Sequence, residues 1–255
     1  MIELESQLRV VRDAGRKALV PYIVAGTDDS WLDYVRAAAF SGATAVEIGI
    51  PFSDPMMDGV IIQAASDKAL KNGASFGRIL QEMNQLEVEV PLLVMTYYNI
   101  FHHHGVKRSA MDLANVGVSG AIVPDLPLEE LEEWQTNVNA SGIATVLMVA
   151  PSTPHERSTL IARRTQGFAY AQGRMSVTGI SNEEGSGGDV VARIREVSDI
   201  PVYIGIGIST AEQAKAAAAV SDGVIVGSAL VQRILDGEGA LGVEKFVGEL
   251  RRAID

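Results

Sequence analysis

The chain has no cysteine among its 255 residues, which excludes disulfides and thiolate catalysis and fits a reducing cytoplasm. It also has no basic run. With 21 Lys+Arg against 32 Asp+Glu the formal net charge is −11, and the pI is near 4.9. That balance argues against nucleic acid or an anionic membrane as the main partner. It does not exclude a phosphate ligand, because backbone amides bind phosphate without net positive charge. No apolar run approaches the roughly 18 residues of a membrane span. The acidic start, Met1-Ile2-Glu3-Leu4-Glu5, does not read as a signal peptide. No linker, low-complexity segment or shift in composition marks an internal domain boundary.

What is present is a core. Hydrophobic residues make up 47% of the chain and glycines number 25, enough for a sizeable interior with many tight turns. Short apolar runs, none of them alternating, occur at 19–24, 43–50, 91–96, 121–123, 143–149, 167–170, 201–204 and 223–226. Such runs suit strands buried on both faces of a parallel sheet. Helical periodicity follows each of them, at 31–41, 61–71 with 76–86, 106–116, 128–140, 154–164, 190–197, 211–220, and 229–235 with 241–254. An amphipathic helix over 1–15 precedes the first strand. Asp29 or Ser30 is placed to cap the second helix, and Thr153 the one after Pro154. Eight β-then-α units in this length predict one (β/α)8 barrel domain over 1–255 with an extra N-terminal helix, since such barrels run to about 250 residues. A doubly wound sheet is the alternative.

The most informative stretch is Ala45 to Gly59. It begins as a strand and carries one acid, Glu47, inside the apolar run; Pro51 then breaks it into a loop with Asp54 and Asp58. A buried carboxylate is costly unless it has a partner or a use. One reading is an acid/base pair with unequal pKa values. The other is a core acid salt-bridged to Arg or Lys, with the loop acids capping the next helix. In a barrel the loops after the strands build the site, so Glu47, Asp58, Tyr97, Asn99, Asp125, Tyr170, Gly205, Gly207, Gly227 and Ser228 are candidates by position. Gly205-Ile206-Gly207 follows the seventh strand, and Gly227-Ser228 opens a helix after the eighth, where this fold holds phosphate. The long Gly-rich stretch 171–188 reads as a lid.

Three features are set aside. His102-His103-His104 reads as an exposed loop, because consecutive side chains do not converge on one metal ion. Glu129-Glu130 with Glu132-Glu133 is a solvated helix start, favoured by the dipole. Met56 and Met57 are core filler or a sticky contact surface.

The motifs Glu47-Ile48-Gly49-Ile50-Pro51-Phe52-Ser53-Asp54-Pro55, Asp58-Gly59, Met95-Thr96-Tyr97-Tyr98-Asn99, Val123-Pro124-Asp125-Leu126-Pro127, Val177-Thr178-Gly179, Gly205-Ile206-Gly207-Ile208-Ser209 and Val226-Gly227-Ser228-Ala229 together resemble the tryptophan synthase alpha-subunit family along nearly the whole chain. The resemblance implies a (β/α)8 lyase that cleaves indole-3-glycerol phosphate to indole and glyceraldehyde 3-phosphate, without metal or organic cofactor. It implies Glu47 as general acid/base, with a raised pKa, and Asp58 as the ionised acid that holds the indole N–H. Tyr22, Tyr97, Tyr170 and Thr178 fall on substrate-binding positions, and Gly179, Gly207, Gly227 and Ser228 on phosphate-binding ones. The implied partner is a PLP-dependent beta subunit in an alpha2beta2 tetramer, the PLP belonging to that partner. Two departures stand out. The loop usually reads Asp-Pro-Leu-Ala-Asp-Gly-Pro, but here Met57 and Val60 replace its Ala and second Pro and Met56 its Leu. The lid usually reads Arg-x-Gly-Val-Thr-Gly, and here Ser176 replaces the Gly. Both segments face the partner in the family. The alternatives are therefore a stand-alone lyase releasing free indole, or a weakly catalytic module that activates the beta subunit.

Overall fold

The computed structural model describes residues 2–173, 187–205 and 207–255. The elements run α1 (Glu3–Asp13), β1 (Ala18–Val24), α2 (Trp31–Phe40), β2 (Val46–Gly49), α3 (Val60–Lys71), α4 (Phe76–Met83), β3 (Leu92–Met95), α5 (Tyr98–His104), α6 (Val106–Asn115), β4 (Val118–Ile122), α7 (Leu131–Ala140), β5 (Ala144–Val149), α8 (His155–Arg164), β6 (Ala169–Gln172), α9 (Gly187–Arg195), β7 (Val202–Gly205), α10 (Ala211–Val220), β8 (Gly223–Val226), α11 (Ser228–Leu235) and α12 (Gly239–Ile254). The strands pair in chain order, all parallel, and β1 closes onto β8 through Ala18↔Gly223 to Pro21↔Val226. This is the (β/α)8 barrel with an N-terminal helix that the strand count predicts.

The unalternating strands nonetheless have two faces. Leu19, Ile23, Ile48, Val94 and Val224 pack outward against the helices. Their neighbours Ala18, Val20, Ala45, Leu93, Ile122, Val146, Phe168, Tyr170, Tyr203 and Ile225 fill the barrel interior, where Leu4 and Leu8 of α1 join them. Both faces are apolar because helices cover one and barrel closure the other. Glu47, two residues after Ala45, therefore points into the barrel.

Several local expectations are corrected. His102-His103-His104 is not a loop but the last turn of α5, and His104 Nε2 lies 2.7 Å from Asp112 Oδ2 of α6. Ser30 occupies the N-cap of α2 as expected, but its side chain makes no capping bond, and its own N–H goes to Asp28 Oδ1 at 2.9 Å. At α8 the N-cap is Pro154, and Thr153 Oγ1 instead accepts the Ala150 N–H of the preceding turn at 3.0 Å. The sixth strand starts later than expected and extends to Gln172, so it continues past Tyr170. α9 starts at Gly187, three residues before the periodic segment.

Candidate active site

β1 and β2 pair with Tyr22 opposite Glu47, which sets an aromatic ring beside the one acid of the barrel interior. Glu47 is 1% exposed, and neither of its carboxylate oxygens has a hydrogen-bond partner among the described residues. The salt-bridged alternative is thereby set aside among those residues. Burial pushes the Glu47 carboxyl up to about 8, and the nearby charge of Asp58 pushes in the same direction. It holds its proton at neutral pH.

Asp58 sits on the loop between β2 and α3 and is half-buried. Its Oδ2 accepts the Tyr97 hydroxyl at 3.1 Å, and the same hydroxyl accepts the Met57 N–H at 2.8 Å. Tyr97 stacks on Phe52 at 5.0 Å between ring centroids, so both the loop and the carboxylate rest on an aromatic pair. Gln63 Nε2 donates to the Asp58 carbonyl at 2.8 Å. Burial raises the Asp58 pKa from the ordinary value, and the Tyr97 hydrogen bond opposes the rise. The two carboxyls remain unequal because Glu47 has no donor to stabilise its anion.

Tyr22, Glu47, Asp58, Tyr170, Gly207, Gly227 and Ser228 line one cavity of about 660 Å³ at the ends of the strands that lead into the helices. This is a volume suited to a small organic ligand. The sequence candidates so gathered lie on β1, β2, β6 and the loops after β2, β7 and β8. Tyr97 is not on the cavity wall and reaches the site through Asp58. Thr178, Gly179 and the variant Ser176 lie outside the described residues. Asn99 and Asp125 line a separate acidic hollow with Glu129 and Glu133, and Asp125 Oδ1 accepts the Tyr98 N–H at 2.9 Å.

Two tyrosines are seated by glycines. A Cβ on Gly49 would collide with the hydroxyl end of Tyr22, and one on Gly205 with that of Tyr170. Each ring therefore lies across the neighbouring strand, where only glycine leaves space. Burial raises both hydroxyls well above their ordinary pKa, and the fields of Asp58 and Glu47 add to it. They are neutral hydrogen-bonding groups in this site.

The opposite wall is built for an anion. Gly227 is the N-cap of α11 and Ser228 its first residue, so the helix presents free amides and the positive end of its dipole to the cavity, beside Gly207 and Ser209. Among the described residues no group of three His, Asp or Glu is arranged to hold a metal ion.

Sequence reasoning missed Met95, Met148, Ile225 and Gln172, which also line the cavity, from β3, β5, β8 and β6. The first three are ordinary apolar strand residues in sequence and carry no signal. Gln172 could have been found from the Tyr170 position, since residues two apart on a strand share a face.

A protonated buried acid, a second acid held by a tyrosine, aromatic walls and an amide-lined anion end fit proton transfer on a flat aromatic ligand that bears a phosphate. The relatives agree. A sequence profile of the family "Tryptophan synthase alpha chain" matches residues 8–250. The tryptophan synthase alpha chain of Streptomyces avermitilis is 39% identical over 260 residues, covering 98% of this chain and 94% of that one. That of Methanosarcina mazei is 41% identical over 231 residues, covering 89% and 84%. A ligand-free tryptophan synthase from M. tuberculosis superposes with a TM-score of 0.90 at 33% identity, covering 100% of this chain and 99% of that one. Sequence motifs, barrel and cavity lead to one placement: this chain belongs to the tryptophan synthase alpha chain family.

Proposed function

We propose that the chain is a carbon–carbon lyase that cleaves indole-3-glycerol phosphate to indole and glyceraldehyde 3-phosphate, in tryptophan biosynthesis. The observation that carries this is Glu47: a buried carboxyl with a pKa near 8, facing the same cavity as Asp58 and the N-terminus of α11.

The phosphate docks on the amides around Gly207, Gly227 and Ser228, and the indole ring lies between Tyr22 and Tyr170. The Glu47 carboxylic acid gives its proton to C3 of the ring, which leaves the positive charge on the ring nitrogen. Asp58 accepts the ring N–H and stabilises that charge. The Glu47 carboxylate then takes the proton of the hydroxyl on the carbon attached to the ring. The O–H electrons form the aldehyde, the C3–C bond breaks, and its electron pair restores the aromatic ring and neutralises the nitrogen. Glu47 ends as it began, protonated. The atoms and charges balance without a cofactor. Its raised pKa serves the first step, because an ordinary glutamate would be ionised at pH 7.

The partner we assign is a beta subunit in an alpha2beta2 assembly, which would carry any PLP. Met56 and Met57 on the loop that holds Asp58, and Val60 at the start of α3, support this, being 80%, 55% and 78% exposed. Exposed apolar side chains clustered beside a site mark a contact surface. We take residues 1–255 as one barrel domain and place it in the cytoplasm; no helix among the described residues is long and apolar enough to cross a membrane. The same loop, with Ser176 further along the chain, also motivates a second reading, a stand-alone lyase that releases indole, because there the chain departs from the common family pattern.

The test is turnover of indole-3-glycerol phosphate by the purified chain, followed as glyceraldehyde 3-phosphate, with and without a beta subunit. Slow turnover that rises about tenfold or more on adding partner supports the coupled subunit. Fast turnover indifferent to partner supports the stand-alone lyase. No turnover in either condition overturns the proposal.

A further inference from the structure

We propose that Gln172 is a further substrate-binding residue, whose side-chain amide holds the one chain hydroxyl that bond cleavage leaves untouched. This rests on the lyase reading above. Gln172 closes β6, and strand alternation puts it on the face of Tyr170, inside the barrel. Both line the cavity. In register Gln172 pairs with Gly205, two residues before Gly207 at the anion end. Tyr170 lies one step below, toward the aromatic end. Gln172 therefore stands between the place for the ring and the place for the phosphate.

Among the described residues its surroundings leave it short of partners. Met148 of the neighbouring β5 lines the cavity with it, and the one hydrogen bond of Gln172 among those residues runs from Nε2 to Met148 Sδ at 3.9 Å. A thioether is a weak acceptor, so a half-buried amide with two donors and a carbonyl keeps most of its capacity unused among the described residues. A secondary hydroxyl both donates and accepts, and suits such an amide.

The substrate has two hydroxyls on its three-carbon chain. The one next to the ring loses its proton to Glu47 and becomes the aldehyde oxygen. The middle one, toward the phosphate, passes unchanged into glyceraldehyde 3-phosphate. By its place along the cavity Gln172 faces the middle one.

The experiment compares wild type with Gln172→Leu, which keeps the bulk and removes the amide; Gln172→Met, unbranched and similar in length, is the second variant should Leu disturb the fold. Two quantities are read: kcat and KM for indole-3-glycerol phosphate, and Kd for indole-3-propanol phosphate, which has the ring, chain and phosphate but neither hydroxyl. The substitution should lower kcat/KM about tenfold, the size of one neutral hydrogen bond, and leave the propanol phosphate Kd within about twofold. Equal losses for both ligands would mean that Gln172 only packs the wall, and unchanged kcat/KM would mean that it does not touch the hydroxyl; either overturns the inference. Failure of wild type both to cleave the substrate and to bind the propanol phosphate strikes the lyase reading instead, and the inference with it.

Discussion

The two ends of the barrel are made from the same strands and put to opposite uses. At the closed end α1 lies across the opening, with Leu4 and Leu8 at 0% and 1% exposure. Gly120 and Gly167 leave room for the Leu4 side chain, and Phe168 stacks on Tyr203 at 4.5 Å. Every interior residue there is apolar or aromatic. Two residues further along, the same strands present Glu47, Tyr22 and Tyr170, and two beyond Tyr170 Gln172, around an open cavity. Each end also holds a buried polar group without a partner among the described residues: the Tyr203 hydroxyl at the closed end and the Glu47 carboxyl at the open end. The first is a neutral tip on a packed ring. The second is an acid whose carboxyl burial pushes up to about 8. An unmet polar group has functional meaning when it is ionisable and a ligand can reach it.

The sharpest way to break this comparison is Glu47→Gln. Removing one group that serves as both acid and base should cost about a thousandfold or more in kcat, measured with indole-3-glycerol phosphate. The same change should stabilise the fold. Because Glu47 is neutral in the native state up to about pH 8 but ionises near 4.5 when unfolded, the native state binds more protons between those values, and wild-type stability falls as pH rises through that window. Glu47→Gln has no such loss. Its Tm should exceed wild type by about 5 °C at pH 8 and by much less at pH 5, read by calorimetry. A Tm difference that does not depend on pH would contradict the protonated, buried acid.

Asp58→Asn keeps an acceptor for the ring N–H but removes the charge, and should lower kcat by about a hundredfold. Turnover near the wild-type rate would place the stabilising charge elsewhere. Wild-type kcat/KM should show two limbs, with the upper near pH 8, where Glu47 loses its proton, and the lower where Asp58 gains one. Asp58→Asn should abolish the lower limb and move the upper one to lower pH, because the charge that helps raise Glu47 is gone.

At the closed end the effects belong to stability. Leu4→Ala empties a fully buried site and should cost about 2–5 kcal/mol of unfolding free energy with kcat nearly unchanged. A large loss of kcat in folded protein would show that the two ends are coupled. The smallest effect is expected for Tyr203→Phe, neutral to about 1 kcal/mol stabilising by denaturant titration, since the hydroxyl it removes has no partner among the described residues.

Much of the fold was legible. Eight short apolar runs, each followed by helical periodicity, specify parallel strands buried on two faces, and α10 and β8 fall on the boundaries read from sequence. The errors sit where local signals compete. Tyr98–His104 forms a helix although three histidines suggested a loop, because the Asp125 carboxylate accepts its first N–H and Phe101 packs between Phe76 and Trp134. Those partners are distant in sequence. Glu47 was visible because acids are rare in apolar strands, and Asp58 because it lies on the loop that follows that strand. Tyr97 was visible as a candidate, but its place behind Asp58 was not, since nothing local reveals which side of a carboxylate a tyrosine approaches.

By itself the sequence determined the alternation of strands and helices, the N-terminal helix, the acid in the barrel wall and the Gly227-Ser228 pair that opens α11. Local periodicity and side-chain chemistry suffice for these. Only the tertiary structure decided which face of each strand points inward, because both faces are apolar and register alone distinguishes them. Register placed Tyr22 beside Glu47, Gln172 beside Gly205, and the acid far enough from solvent and cations to keep its proton.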